Sequence, residues 1–210
     1  MKETIRNVFC VGRNYREHAA ELGNAVPDAP MLFMKPVHAL TAMDGSEIAL
    51  PGNRGDIHYE AELVLHVGRP YERGIGVDEL VDKYALGLDL TLRDVQSELK
   101  KKGQPWLAAK GFLGSAPIGS FRPFPGAAEL GRQLFTLSKN GTEVQRGCTT
   151  DMIFDLQTIV DFCAAHYGLG TGDLIYTGTP AGVGAIADGD RFTLRMGEEA
   201  AGECVIRLQG

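Results

Sequence analysis

The sequence predicts a mainly β domain with a few helices, in the α+β class. Three observations predict it. Seven short segments alternate apolar and polar residues or run apolar, each bounded by Gly, Pro, Asn or Asp. An Asn140-Gly141 pair marks a tight hairpin turn. Helix signals occur at only three places.

In chain order, the strands are residues 5–11, 31–35, 58–67, 133–138, 173–177, 191–196 and 203–208. Lys139-Asn140-Gly141-Thr142 follows the fourth, and Asn-Gly accepts the positive φ angles of a type I′ turn. The first helix covers residues 14–23, with Asn14 and Glu17 at its start and Gly23 as its stop. The second follows Thr91-Leu92-Arg93-Asp94, which matches a capping box, and runs over 95–102 before Gly103. Its last turn holds Lys100, Lys101 and Lys102, which meet the negative end of the helix dipole. The third runs over 152–165 on an apolar stripe of Ile153, Leu156, Val160 and Cys163.

Residues 1–210 show no linker, charge block, low-complexity run or internal repeat, so they read as a single domain. The 44% hydrophobic and 23% charged composition is that of a soluble globular chain. A net charge of -6, with no basic run beyond Lys100 to Lys102, argues against nucleic acid as a partner. Cys10, Cys148, Cys163 and Cys204 form no C-x-x-C pair and read as reduced, buried thiols of an intracellular protein. No signal-peptide core or membrane-length apolar run is present, so the expectation is a cytoplasmic protein with no membrane partner.

In a strand over 58–67, Glu60 and Glu62 share one face, ~6.6 Å apart along the backbone. Taken alone they read first as the solvated polar face of a half-exposed strand. Asp89 stands in Ala85-Leu86-Gly87-Leu88-Asp89-Leu90-Thr91-Leu92, where a lone carboxylate is costly unless paired. Its partner is either a cation such as Arg93, a helix start, or a metal shared with both glutamates. Three carboxylates without His or Cys make a hard, oxygen-only set, suited to Mg²⁺, with Mn²⁺ as the alternative.

Four motifs then stand in order along the chain. They are His58-Tyr59-Glu60-Ala61-Glu62-Leu63 and Leu88-Asp89-Leu90-Thr91-Leu92-Arg93-Asp94-Val95-Gln96. Lys100-Lys101-Lys102-Gly103 with Pro105-Trp106 and Lys110 follows, and then Gly172-Asp173-Leu174-Ile175-Tyr176-Thr177-Gly178-Thr179-Pro180 with Gly182-Val183-Gly184. This ordered set resembles the fumarylacetoacetate hydrolase family over nearly the whole chain, most closely its short branch with acylpyruvate hydrolase and oxaloacetate decarboxylase activities. The resemblance implies a mixed β-sandwich roll, a homodimer, and Glu60, Glu62 and Asp89 as metal ligands.

His18 and Glu21 share a helix face, where a carboxylate can orient an imidazole as general base; a surface i,i+3 pair gives the same spacing. The resemblance makes them the catalytic dyad. Lys110 is either a snorkelling surface lysine or a cation for substrate oxygen, and the resemblance selects the second. Arg13, Arg93, Gln96 and Thr179 are read as substrate-binding, with Lys35 a weaker candidate. An exposed charge at Arg13, structural hydrogen bonds at Arg93 and Gln96, and a plain turn at 178–184 remain open readings. The implied function is Mg²⁺-dependent carbon–carbon hydrolysis of acylpyruvate-type 2-oxo acids, with oxaloacetate decarboxylation beside it. The alternatives are an isomerase or tautomerase of such compounds and a non-catalytic metabolite-binding module.

Overall fold

The apolar segments pair into three curled sheets in a computed structural model that describes residues 4–21, 23 and 25–210. In chain order the first strands are β1 (Val8–Gly12), β2 (Met31–Lys35), β3 (Leu40–Ala42), β4 (Asp44–Pro51), β5 (Ile57–Tyr59), β6 (Ala61–Val67), β7 (Val81–Leu88) and β8 (Thr91–Leu92). Then come β9 (Ala116–Ile118), β10 (Arg122–Pro123), β11 (Phe135–Lys139), β12 (Thr142–Gly147), β13 (Leu174–Tyr176), β14 (Gly184–Ala185), β15 (Arg191–Met196) and β16 (Glu199–Gln209). The helices are α1 (Arg16–Glu21), α2 (Val77–Leu80), α3 (Arg93–Lys101), α4 (Leu107–Lys110), α5 (Ala127–Leu130) and α6 (Leu156–Tyr167).

The largest sheet has the order β2-β1-β13-β6-β7-β9-β3, with β10 also on β7. A second has the order β12-β11-β15-β16-β4, and β14-β5-β8 make a small third. Parallel pairs, β1 with β13, β3 with β9 and β16 with β4, stand among antiparallel ones, so the two larger sheets are mixed. Leu63, Leu65 and Leu86 of the largest sheet share one core with Leu137, Phe192, Leu194 and Ile206 of the second. Each such side chain contributes roughly 1.5–3 kcal/mol by leaving water. The opposite face of the largest sheet carries a smaller cluster around Val8, Cys10, Val64 and Tyr176. The result is a β-sandwich roll in which every residue of β6 is buried.

Several local expectations hold. Residues 31–35 and 191–196 are strands with those bounds. Asn140 and Gly141 have φ of 53° and 83°, as a type I′ turn requires. All four cysteines are free and buried, and no helix among the described residues is long and apolar enough to cross a membrane.

Others are corrected. The strand expected over 58–67 breaks at Glu60, because β5 pairs with β8 and β14 whereas β6 pairs with β7 and β13. The capping box does not form: Thr91 extends in β8 with its buried hydroxyl unpartnered, and Asp94 Oδ1 accepts from the Asp56 and Val95 amides. The third helix starts later, at Leu156, because the Asp155 carboxylate accepts from Thr158 N at 2.8 Å and fixes the cap there. Asn14 does not cap the first helix. Its amide donates to Thr177 O (2.8 Å) and Phe154 O (3.1 Å), and its Oδ1 accepts from Phe154 N (2.8 Å). The expected end of that helix at Leu22 lies outside the described residues.

Candidate metal centre

Backbone register assembles the acidic cluster. Ala61 of β6 pairs with Leu88 of β7, and Asp89 N, just past β7, donates to Glu60 O at 2.8 Å. Glu60 and Glu62 flank Ala61, so the three carboxylates converge, with candidate ligand oxygens all within 4.8 Å of one another. They are only 5%, 2% and 1% exposed, which rules out a solvated polar face.

Three buried carboxylates demand compensation. Lys110 of α4 reaches Glu60 Oε2 at 2.7 Å and Asp89 Oδ2 at 2.6 Å. Arg93, opening α3, pairs with Glu60 and donates to Gln96 Oε1 at 2.9 Å. Lys35 of β2, fully buried, lies 2.8 Å from Asp89 Oδ1. Its ammonium also donates to Leu90 O, Lys110 O and Ser115 Oγ, and Asp89 Oδ1, though paired in charge, accepts no hydrogen bond of acceptable geometry. Gly178 N–H donates to Glu62 Oε2 at 2.7 Å.

Burial opposes the charge on Glu60, but Lys110 and Arg93 outweigh it and hold this carboxyl below the usual range. Burial also opposes the charge on Lys110, and Asp89 and Glu60 overcome it, so the ammonium stays protonated. Glu62 goes the other way: burial, then Asp89 and Glu60, push its pKa well up. A divalent cation would relieve both the destabilised charge of Glu62 and the under-used oxygen of Asp89. With oxygen donors alone, the cluster fits a hard ion.

Nine of the ten site residues expected from sequence line one cavity: Arg13, His18, Glu60, Glu62, Asp89, Arg93, Gln96, Lys110 and Thr179. The tenth, Glu21, joins through His18, its Oε2 lying 3.3 Å from the imidazole Nδ1. Glu21 is itself held by Gly182 N–H, at 3.1 and 3.3 Å from its two oxygens. His18 is 5% exposed, and burial, partly offset by Glu60 and Glu21, lowers its pKa. Arg13 sits at φ 59°, a left-handed conformation uncommon for a side-chain-bearing residue. The Thr179 hydroxyl donates to Ala61 O at 2.8 Å, so its hydrogen is engaged within the chain.

Sequence reasoning missed the walls. Met31, Phe33 and Trp106 line the cavity, and Lys100 Nζ lies 5.2 Å from the Trp106 ring centroid. Lys100 falls four residues after Gln96 and seven after Arg93, a helical spacing that could have revealed it. Among the described residues, neither Arg13 nor Lys100 forms an ion pair, and burial with Arg13 and Arg93 nearby lowers the Lys100 pKa.

Known proteins share this frame. The family model described as fumarylacetoacetate hydrolase, C-terminal, matches residues 7–209. An oxaloacetate tautomerase of Escherichia coli K12 is 39% identical over 195 residues, covering 90% of this chain and 88% of the relative. A mitochondrial oxaloacetate decarboxylase of Dictyostelium discoideum is 38% identical over 192 residues, covering 89% and 87%. Fumarylpyruvate hydrolase from Pseudomonas aeruginosa, solved with Mn²⁺ and pyruvate, has a TM-score of 0.87 at 34% identity, covering 99% of this chain and 91% of that one. These relatives are enzymes by name, and one of them holds a divalent ion. On a match that spans both the sandwich and the acidic cluster, the chain belongs to the fumarylacetoacetate hydrolase family.

Proposed function

We propose that this protein is a Mg²⁺-dependent enzyme that forms and resolves the enolate of small 2-oxo acids, with keto–enol tautomerisation of oxaloacetate as its first activity. The observation that carries this reading is a single cavity holding both a buried all-carboxylate cluster and a His18 backed by Glu21. Similarity to the oxaloacetate tautomerase of E. coli supports the substrate.

When bound by Glu60, Glu62 and Asp89, the cation supplies Lewis acidity to the 2-oxo group. His18 is kept neutral near pH 7 by burial, so it can accept the C3 proton of the keto form. Glu21 stabilises the resulting imidazolium, and return of that proton to the enolate oxygen completes the isomerisation without net change of atoms or charge. Arg13 and Lys100, cations on the same cavity that pair with no carboxylate among the described residues, suit the second carboxylate of a dicarboxylic substrate. Arg93 and Gln96, bonded to each other, order the adjoining wall.

Carbon–carbon hydrolysis of acylpyruvates, with oxaloacetate decarboxylation, is the second reading, favoured by the likeness to fumarylpyruvate hydrolase. There His18 would deprotonate a water instead of C3. The test follows enol absorbance of oxaloacetate, its decarboxylation, and cleavage of an acylpyruvate panel, each with Mg²⁺, with Mn²⁺ and with chelator. Metal-dependent loss of the enol signal ahead of CO₂ release supports tautomerisation; the absence of metal-dependent turnover on every compound overturns both readings. The reading includes a homodimer, supported by exposed Met34 and Leu107 on one apolar hollow, and light scattering at monomer mass would remove it.

A further inference from the structure

Gln145 does not line the cavity, yet it is 2% exposed and every polar atom of its amide is committed. From β12, its Oε1 accepts from Ala61 N–H at 2.9 Å. Its Nε2 donates to Thr179 Oγ1 and to Pro180 O, each at 2.9 Å. Ala61 lies between Glu60 and Glu62, where the chain leaves the small sheet for the largest one. The Thr179 hydroxyl closes the ring by donating to Ala61 O.

The loop that Gln145 grips carries two further donors. Gly178 N–H reaches Glu62, and Gly182 N–H reaches Glu21. The loop lies flush on β12: at Gly182, with φ +98°, a Cβ would stand 2.1 Å from Val144 O. A side chain there would lift the loop away from both carboxylates.

We propose that Gln145 is a positioning residue. It fixes the 178–182 loop against the Glu60-Ala61-Glu62 segment, and so sets where the His18–Glu21 pair stands relative to the acidic cluster. The role needs one acceptor and two donors on a single buried planar group, which a primary amide alone supplies. A side chain without them leaves the Ala61 amide and the Pro180 carbonyl buried and unpaired. This inference goes beyond the proposed reaction, and only its turnover arm rests on that reading.

The experiment uses Gln145→Met, similar in volume, and Gln145→Glu. Amide hydrogen exchange of the metal-free full chain is read first. In Gln145→Met, Ala61, Gly178 and Gly182 should exchange at least about tenfold faster, while Leu65 and Ile175 of the core keep their protection. With metal and substrate, kcat should fall at least about tenfold and KM move less than about threefold, since the loop aligns groups more than it grips substrate. Gln145→Glu retains the acceptor, and while protonated it also offers one donor. Its turnover relative to the parent protein should therefore rise as pH falls. Parental exchange at Gly178 and Gly182, or protection lost equally at Leu65, overturns the proposal. If Gln145→Met does not fold, Gln145→Glu decides, and a ratio to the parent that is flat across pH overturns it. A parent protein without turnover counts against the proposed reaction alone, because the exchange comparison still decides the role of Gln145.

Discussion

Replacing Asn14 by alanine separates two physical roles by magnitude. As a helix N-cap, Asn14 would contribute about 1 kcal/mol, the usual cost of losing a cap. The structure gives it a larger task. It is fully buried and makes three hydrogen bonds, two to carbonyls of Phe154 and Thr177 and one from the Phe154 amide. Removing the side chain leaves these groups without that partner in a buried site. At about 1 kcal/mol for each lost bond, with added desolvation where no water enters, Asn14→Ala should cost about 3–5 kcal/mol. The assay is urea unfolding with chelator present, so that metal linkage does not enter the comparison. Asn14→Asp keeps one acceptor, loses both donors and buries a charge, so it should be no more stable than Asn14→Ala. A loss near 1 kcal/mol for Asn14→Ala, with Asn14→Asp close to the parent, would refute this reasoning and restore the cap.

Three further predictions follow from the site. Glu62→Ala or Asp89→Ala should weaken Mn²⁺ binding by more than the about 10–100-fold typical of outer-shell changes, as read by calorimetry; unchanged titration removes the ligand assignment. Because burial lowers the His18 pKa, turnover should fall with decreasing pH only below the ordinary imidazole value of about 6.5. The sign for stability is the same: the His18 contribution is complete above that ordinary value and is lost as pH falls through the depressed one. His18→Ala should remove that acid limb while leaving some oxaloacetate decarboxylation, and a limb unchanged in the variant excludes His18 as its source. Lys100→Met and Arg13→Met should each raise KM for oxaloacetate about tenfold, with little change for a monocarboxylic 2-oxo acid; equal effects on both substrates would argue against a second carboxylate subsite.

Where chemistry is local, the sequence was readable. Asn140-Gly141 reported its own turn because positive φ is a property of those two residues. Alternation placed Glu60 and Glu62 together, and although the strand breaks at Glu60, the two carboxylates on either side of Ala61 still converge on one cluster. Asp89 was legible as a carboxylate too costly for an apolar run without partners. The failures share a cause in long-range pairing. Thr91-to-Asp94 has the letters of a capping box, but His58 recruits Thr91 into a strand and the Asp56 amide recruits Asp94. Asn14 likewise serves groups 140 and 163 positions away. β4 escaped notice because its first half, Asp44-Gly45-Ser46-Glu47, is exposed and looks like a turn, and its partner is β16 at the far end of the chain. Gln145 carried no signal at all, since one glutamine on a hairpin strand looks like any solvated side chain.

The pairing of β1 with β13, Val8 opposite Leu174, also constrains how the molecule can be made. All three acidic residues have been synthesised by position 89, but Lys110, Gln145 and Gly178 follow them. At ordinary rates of translation, roughly 5–20 s separate Asp89 from Gly178. During that interval β6 has β7 on one side and lacks β13 on the other. A nascent chain stalled before position 174 would thus carry every carboxylate of the cluster and still have no strand β13 to hold them in place.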